Sequence, residues 1–294
     1  MSETKPVDVL IVGGGPAGLA AALWLGRHRL ETVVADRGEH RNRWVDASFG
    51  YLGFDGSAPD ALVKAGRADL DRYPNVTLLE STVRALHRTD EGFHAEVDGR
   101  TLRCSAVVFA GGVRDVVPPL AGLRDHYGTS VYVCPLCDGY ECREQRVVIL
   151  GAGGSVGAFA QELLQWASSV VVVPLGDERP TDALPDGVTC TDHPATAVHG
   201  SSCVERVELK DGSTVPCDAI FFRSETIPAT DMAADVGCDL DEDGLVIVDA
   251  DGCASAPDVY AAGDCTPGPR IVQVAAAEGA RAGLQCAETL MARR

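Results

Sequence analysis

Val7-Asp8-Val9-Leu10-Ile11-Val12-Gly13-Gly14-Gly15-Pro16-Ala17-Gly18 is the stretch that decides the fold. The apolar, β-branched run Val7 to Val12 predicts a buried strand, the glycines a tight turn, and Leu19 to Leu25 a helix. Gly13, Gly15 and Gly18 make a GxGxxG, in which glycine permits the turn, the close approach of a pyrophosphate, and tight helix–strand packing. Alone such a pattern is weak. Here a second strand, Glu31 to Ala35, follows and ends in Asp36, at the spacing where a carboxylate binds ribose hydroxyls. An acid at that point disfavours a 2′-phosphate, so FAD or NAD fits this site better than NADP.

Outward from this unit, residues 38–59 lose all periodicity and read as a long loop. Ala61 to Arg72 has helical spacing. Val76 to Leu79, Thr82 to His87, Phe93 to Val97 and Thr101 to Cys104 read as short strands of a small meander, and Val107 to Ala110 as a buried strand. Pro118-Pro119 marks a boundary. Arg146 to Leu150 then runs into Gly151-Ala152-Gly153-Gly154-Ser155-Val156-Gly157, followed by a helix over Ala158 to Ala167 and a strand over Val170 to Val173. This second unit of the dinucleotide type has Val156 at the third glycine position, where a side chain is expected to crowd the helix–strand contact. The segment after it, Pro174 to Arg179, offers one Arg and two acids where a 2′-phosphate pocket wants several bases. Gly151, Gly153 and Ser155 therefore mark a possible vestigial nicotinamide site.

Leu245 to Val248 and Val259 to Ala261 read as strands, the latter entering Ala262-Gly263-Asp264. A strand ending in Gly-Asp reads as a second FAD signature, with Gly263 and Asp264 at the ribityl chain. Val272 to Met291 is an alanine-rich helix that Gly279 and Gly283 are expected to break. Both ends of the chain thus supply FAD residues around an insert. The expected division is 1–115 with 245–294 as the FAD domain, and 118–240 as an inserted pyridine-nucleotide-type domain.

Between the two glycine turns lies Cys134-Pro135-Leu136-Cys137-Asp138-Gly139-Tyr140-Glu141. Two cysteines three apart close a small disulfide ring or open to a dithiol with little backbone movement. If they open a helix, its free amides and dipole favour a thiolate, the nucleophile of thiol–disulfide exchange. Half of a zinc site and a pair of buried structural cysteines are the alternatives. Zinc wants four ligands, and the nearest further sulfur is a lone Cys142, so no metal is expected. Asp138 follows the pair, either to move protons or only to cap a helix N-terminus.

The chain has 294 residues, enough for two domains, with 46% hydrophobic and 23% charged residues. A net charge of −18 argues against nucleic acid and anionic membrane surfaces as partners. The first residues lead directly into a strand with no charged-then-apolar signal region, and no apolar run approaches a membrane span. A reducing cytoplasm is expected, with most of the eleven cysteines free in the core.

Over nearly its whole length the chain resembles the low-molecular-weight thioredoxin reductase family. Four elements carry the likeness: Gly13-Gly14-Gly15-Pro16-Ala17-Gly18, Cys134-x-x-Cys137-Asp138-Gly139, the glycine turn at Gly151, and Ala261-Ala262-Gly263-Asp264. The resemblance implies an α/β fold of two Rossmann-like, three-layer ββα domains, the second inserted into the first, with FAD and a homodimer. FAD would be held by Gly13, Gly15, Pro16, Ala17, Gly18, Asp36, Gly263, Asp264 and Arg270. Cys134, Cys137 and Asp138 would be catalytic, Cys134 as the more exposed target and Cys137 nearest the isoalloxazine. Departures from that family are the missing basic cluster after Val173, Gly154 and Val156 in the second turn, and Arg270-Ile271-Val272 where the family has Arg-Gln-Ala. Tyr51-Leu52-Gly53-Phe54-Asp55-Gly56-Ser57-Ala58-Pro59 and Pro135-Leu136 resemble instead the dithiol oxidases of holomycin and gliotoxin type, although those place His where this chain has Asp138. The resemblance implies an oxidase acting on a small-molecule dithiol with molecular oxygen, or a reductase of a thioredoxin-like protein, and leaves NAD(P)H open. A flavoprotein redox sensor or partner-binding module is the reading from another class.

Overall fold

A computed structural model describes residues 6–223 and 225–294. Residues 1–5, where the sequence was read for a signal region, lie outside the described part. Among the described residues six α-helices occur: α1 (Pro16–Arg27), α2 (Pro59–Leu70), α3 (Pro135–Asp138), α4 (Val156–Leu163), α5 (Asp231–Asp235) and α6 (Val272–Met291). The chain divides into two compact units. The first holds residues up to Arg43, Gly50–Arg114 and Thr226–Arg294; the second holds Trp44–Phe49 and Asp115–Glu225.

In the first unit, strand Val7–Val12 lies between Thr32–Asp36 and Arg100–Phe109 and runs parallel to both. Val76–Glu80 adds to one side and Val259–Ala261 pairs with Arg100–Phe109, again in parallel. Alternation along the central strand sends Val9 and Ile11 to one face and Leu10 to the other. The first face is covered by α1 and α6, with Ala21, Leu25, Ala282 and Cys286 buried. The second is covered by the antiparallel strands Val83–Thr89 and Gly92–Val97, the latter pairing with the front half of Arg100–Phe109. Leu10, Phe93 and Phe109 fill that layer. The result is the ββα sandwich expected of a dinucleotide-binding domain.

Four sequence expectations are corrected here. Val76–Glu80 belongs to the parallel sheet and not to the meander, because it pairs with Thr32–Asp36. Thr101–Cys104 and Val107–Phe109 are one continuous strand. Leu245–Val248 makes only isolated bridges, Leu240 to Val246 and Val248 to Ala254. Finally, α6 runs unbroken through Gly279 and Gly283. A Cβ at Gly279 would fall on the carbonyl oxygen of Ala17, and one at Gly283 would lie 2.7 Å from that of Ala21. Each interior glycine costs about 1 kcal/mol of helix propensity, and here each lets α6 lie against the backbone of α1.

The second unit repeats the plan. Its central sheet has five strands, in order Thr189–Cys190, Ser169–Val173, Arg146–Leu150, Ala219–Phe222 and Val131–Tyr132, all parallel. Helix α4 covers one face through Val156, Ala160 and Leu163. The antiparallel strands Ala195–Gly200, Val204–Leu209 and Thr214–Pro216 supply Val198 and Val207 to a core against Val148, Leu150 and Phe222 on the other. The division between units falls at Glu225, ahead of the 240–245 drawn from sequence. Glu225–Pro228 pairs with Val113–Val116 as a two-stranded ribbon, and Ala233 and Val236 then join the apolar cluster of the first unit. Of the nine free cysteines, Cys104, Cys142, Cys217, Cys238, Cys265 and Cys286 are buried. Burial pushes the Cys104, Cys142 and Cys217 thiols up to about 12, as for inert core residues.

Candidate active site

At the carboxyl edge of the first sheet, the glycine turn leaves strand Val7–Val12, Asp36 ends its neighbour, and Gly263-Asp264 follows Val259–Ala261. Gly13 has φ +106°, and a Cβ there would fall on the carbonyl oxygen of Ala110. A Cβ at Gly18 would fall on the carbonyl oxygen of Gly13, while one at Gly15 would meet nothing within 4 Å. Gly15 is the N-cap of α1, Pro16 opens the helix, and no acid lies in the first turn. The helix therefore presents uncapped amides beside an open cradle, the arrangement that binds a diphosphate.

Asp36 is buried, accepts the amide of Gly38 at 3.1 Å and is paired with Arg67 of α2. Its carboxylate would lie 2.6 Å from a Cβ at Gly14, so the acid stands directly against the turn. Gly263 packs on the same turn, with its Cβ position 2.9 Å from the Ala17 Cβ, and its amide donates to Glu278 Oε2 at 2.9 Å. Asp264 pairs with Arg41 at 2.9 Å, and Arg270 lies in the approach to α6, one residue before its N-cap. Sequence reasoning missed Arg41, Arg67 and Glu278. None lies in a motif, and only the fold brings them to the carboxyl edge.

In the second unit Cys134 and Cys137 form a disulfide with their Cα atoms 5.3 Å apart. They come directly off the carboxyl end of strand Val131–Tyr132. Cys134 is the N-cap of α3, and its Sγ accepts the Cys137 amide at 3.2 Å. Because α3 spans four residues, this single amide matters more than any dipole. Both cysteines are half-buried. Asp138 is the last residue of α3, whose N-cap is Cys134, and it still lies within the first turn of this short helix. Burial, and then the neighbouring Glu141, push its carboxyl up to about 7. Gly139 is required by closeness: a Cβ there would lie 2.5 Å from both the Pro135 carbonyl oxygen and the Trp166 ring. Cys142 is buried in the apolar core under the loop. Outside the ring, Leu136 and Tyr140 are 65% and 61% exposed.

The second glycine turn is built differently from the first. Helix α4 has Ser155 as N-cap and begins at Val156, which is buried in the core. The close contact falls one residue later, where a Cβ at Gly157 would run onto the Ala183 carbonyl oxygen. The Gly157 amide donates to Asp182 Oδ2 at 2.9 Å. A Cβ at Gly153 would lie 2.8 Å from Glu178 Oε2. Arg223 donates to Ser155 Oγ at 2.7 Å. Arg179 donates to the carbonyl oxygens of Glu178 and Asp192, at 2.8 and 2.6 Å. No cluster of three or more His, Cys, Asp or Glu able to hold a metal, and no helix long and apolar enough to cross a membrane, occurs among the described residues.

Two dinucleotide-type units, one carrying a cysteine pair as a disulfide, define a flavoprotein of the disulfide oxidoreductase class. The chain belongs to the pyridine nucleotide-disulphide oxidoreductase family, whose model matches residues 7–279. It is 30% identical over 277 residues to thioredoxin reductase aclD of Aspergillus oryzae, covering 88% of each chain. It is also 30% identical over 310 residues to a component of the alkyl hydroperoxide reductase of Pseudomonas putida; that match takes in 99% of this chain but 59% of the longer relative. Among solved structures it matches HlmI with TM-score 0.91 at 28% identity, covering 99% of this chain and 95% of that one. An oxidoreductase from Agrobacterium tumefaciens matches with TM-score 0.89 at 29% identity, covering 99% and 100%. FAD is the cofactor of this family, and the open cradle at Gly15 fits it.

Proposed function

We propose that this protein is an FAD-dependent dithiol oxidase that closes a disulfide in a small-molecule dithiol, with molecular oxygen as the electron acceptor. The observation that carries the direction is the state of Arg179. It is the sole Arg or Lys between residues 174 and 194, and its guanidinium is engaged by two backbone carbonyls. Its single charge is all that segment offers the 2′-phosphate of NADPH, and both terminal nitrogens are already held by the backbone, so electrons enter from the thiol side. The likeness to HlmI, of holomycin type, supports the same reading.

A substrate thiolate attacks Cys134 Sγ, the Cys134–Cys137 bond breaks, and Cys137 leaves as thiolate. The second substrate sulfur then attacks the first, the substrate disulfide departs, and Cys134 leaves as a thiolate held by the Cys137 amide. Asp138, with its carboxyl near 7, takes the substrate protons one at a time and releases each to solvent; a base matched to the working pH is the effective one. FAD, held by Gly13, Gly15, Pro16, Ala17, Gly18, Asp36, Gly263, Asp264 and Arg270, supplies the two-electron outlet from the cysteines to oxygen. The balance is one dithiol and one O2 giving one disulfide and one H2O2. On the family resemblance the enzyme works in the cytoplasm as a homodimer.

One observation favours the opposite direction: Asp138-Gly139 after the second cysteine, as in the reductases, together with relatives named thioredoxin reductase. In that case NAD(P)H reduces the protein and a thioredoxin-like disulfide is the substrate. An oxygen electrode distinguishes the readings. Small aromatic dithiols are expected to drive oxygen uptake with H2O2 and disulfide in equal amounts. NADPH-driven thioredoxin reduction without dithiol-driven uptake would reverse the direction, and neither activity would leave a redox sensor.

A further inference from the structure

The two glycine turns of this chain are alike in sequence and opposite in electrostatics. At the first, the cradle beside Gly15 is open and the helix N-terminus carries no acid. At the second, two carboxylates from the loop of residues 174–188 are already in place. We propose that Glu178 and Asp182 act as a built-in substitute for a dinucleotide diphosphate, closing the second domain to pyridine nucleotides. This deepens the dithiol reading, since it says why electrons enter only at the cysteines.

Three contacts carry it. A dinucleotide site of this type needs free amides in the first turn of the helix and glycines that let the diphosphate approach. The first-turn amide of Gly157 is taken by Asp182 Oδ2 at 2.9 Å. Gly153, counterpart of the open Gly15, has the Glu178 carboxylate 2.8 Å from its Cβ position. An incoming diphosphate therefore meets two like charges at contact range. The Asp182 side chain is also wedged: its Oδ1 is buried with no partner, and the adjacent Ala183 carbonyl presses on Gly157. Arg223 faces the turn, 3.1 Å from the Cβ position of Gly154, but its Nη1 donates to Ser155 Oγ. The loop thus satisfies the helix with its own anion, as a bound diphosphate does elsewhere, and gains anchorage on α4.

The test uses the yellow holoprotein as wild type, Glu178→Gln, Asp182→Ser and the double variant, with inorganic pyrophosphate and NADPH as probes. Serine keeps an acceptor for the Gly157 amide but removes the charge. Melting of the wild type is expected not to respond to millimolar pyrophosphate. Asp182→Ser and the double variant should melt lower, and pyrophosphate should raise their melting again. Relief of like charge at contact range should tighten NADPH binding to the double variant by at least about tenfold, read by nicotinamide fluorescence. Micromolar NADPH binding by the wild type would overturn the proposal. So would a folded, yellow double variant that binds no tighter than wild type. Should Asp182→Ser not fold, Glu178→Gln alone must tighten NADPH binding by about threefold or more, and no gain there overturns the proposal. Dithiol-driven oxygen uptake by the same variants is measured separately, so a failed seal and a failed dithiol reading give different results.

Discussion

Asp138 titrates under the influence of Glu141: burial first, and then the charge of that neighbour, push its carboxyl up to about 7. The carboxyl has no hydrogen-bond partner among the described residues, since its amide and carbonyl, and not its side chain, make the helical bonds to Cys134 and Cys142. A half-buried acid with no structural bond, next to a disulfide, is placed for proton transfer. Below its pKa it is protonated and cannot accept; above it, it is an anion and can. Dithiol oxidation should therefore rise with pH through an inflection at about 7 and level above it, with that inflection below the ionisation of a free thiol at about 8.5. Asp138→Asn should remove this inflection and slow turnover by about 10² to 10⁴. Glu141→Gln removes the like charge and should move the inflection to lower pH. An unchanged pH profile in Asp138→Asn would assign the proton transfer to another group.

Cys134→Ser and Cys137→Ser should each abolish dithiol turnover while FAD stays bound, because the disulfide and the glycine turn belong to separate compact units. Cys134→Ser should also show a long-wavelength thiolate–flavin absorption band; its appearance in Cys137→Ser instead would exchange the two roles. Cys142→Ser should keep the chemistry. Its thiol is buried and pushed up to about 12, so the serine mainly buries a hydroxyl, costing about 1–3 kcal/mol of stability.

Gly15→Val and Gly18→Val should fail in different ways. A side chain at Gly15 meets no protein atom within 4 Å, so that variant should fold and purify colourless, its cradle filled. One at Gly18 collides with the Gly13 carbonyl oxygen and should cost more than about 3 kcal/mol, beyond ordinary overpacking. Gly279→Val, against the Ala17 backbone, should resemble Gly18→Val. Circular dichroism and flavin absorbance read the two quantities apart. Full FAD occupancy in Gly15→Val would remove the basis for the N-terminal site.

Much of this was legible in the sequence because the deciding signals are local. A strand, a glycine turn and an acid at the end of the next strand need only neighbouring residues, and Gly13, Asp36 and Gly263 meet at one sheet edge. The cysteine pair is equally local. What escaped depends on tertiary approach. Glycine within a helix pattern has the same spelling whether it breaks the helix or admits a neighbour, and only the α1 backbone against Gly279 and Gly283 separates the two. Arg67 lies 31 residues from the acid it pairs with, and Asp182 lies 25 residues from the amide it caps, in a loop with no motif. The poverty of bases after Val173 was visible; the carboxylates folded back onto the turn were not.

The most direct test of the direction of electron flow is an anaerobic titration of the yellow holoprotein, following flavin absorbance. A small aromatic dithiol is expected to bleach the flavin, and readmitted oxygen to restore the colour with release of H2O2. NADPH and NADH at sub-millimolar concentration are expected to leave the spectrum unchanged. Rapid bleaching by micromolar NADPH, with no response to dithiols, would contradict the account and make the protein a nicotinamide-dependent disulfide reductase.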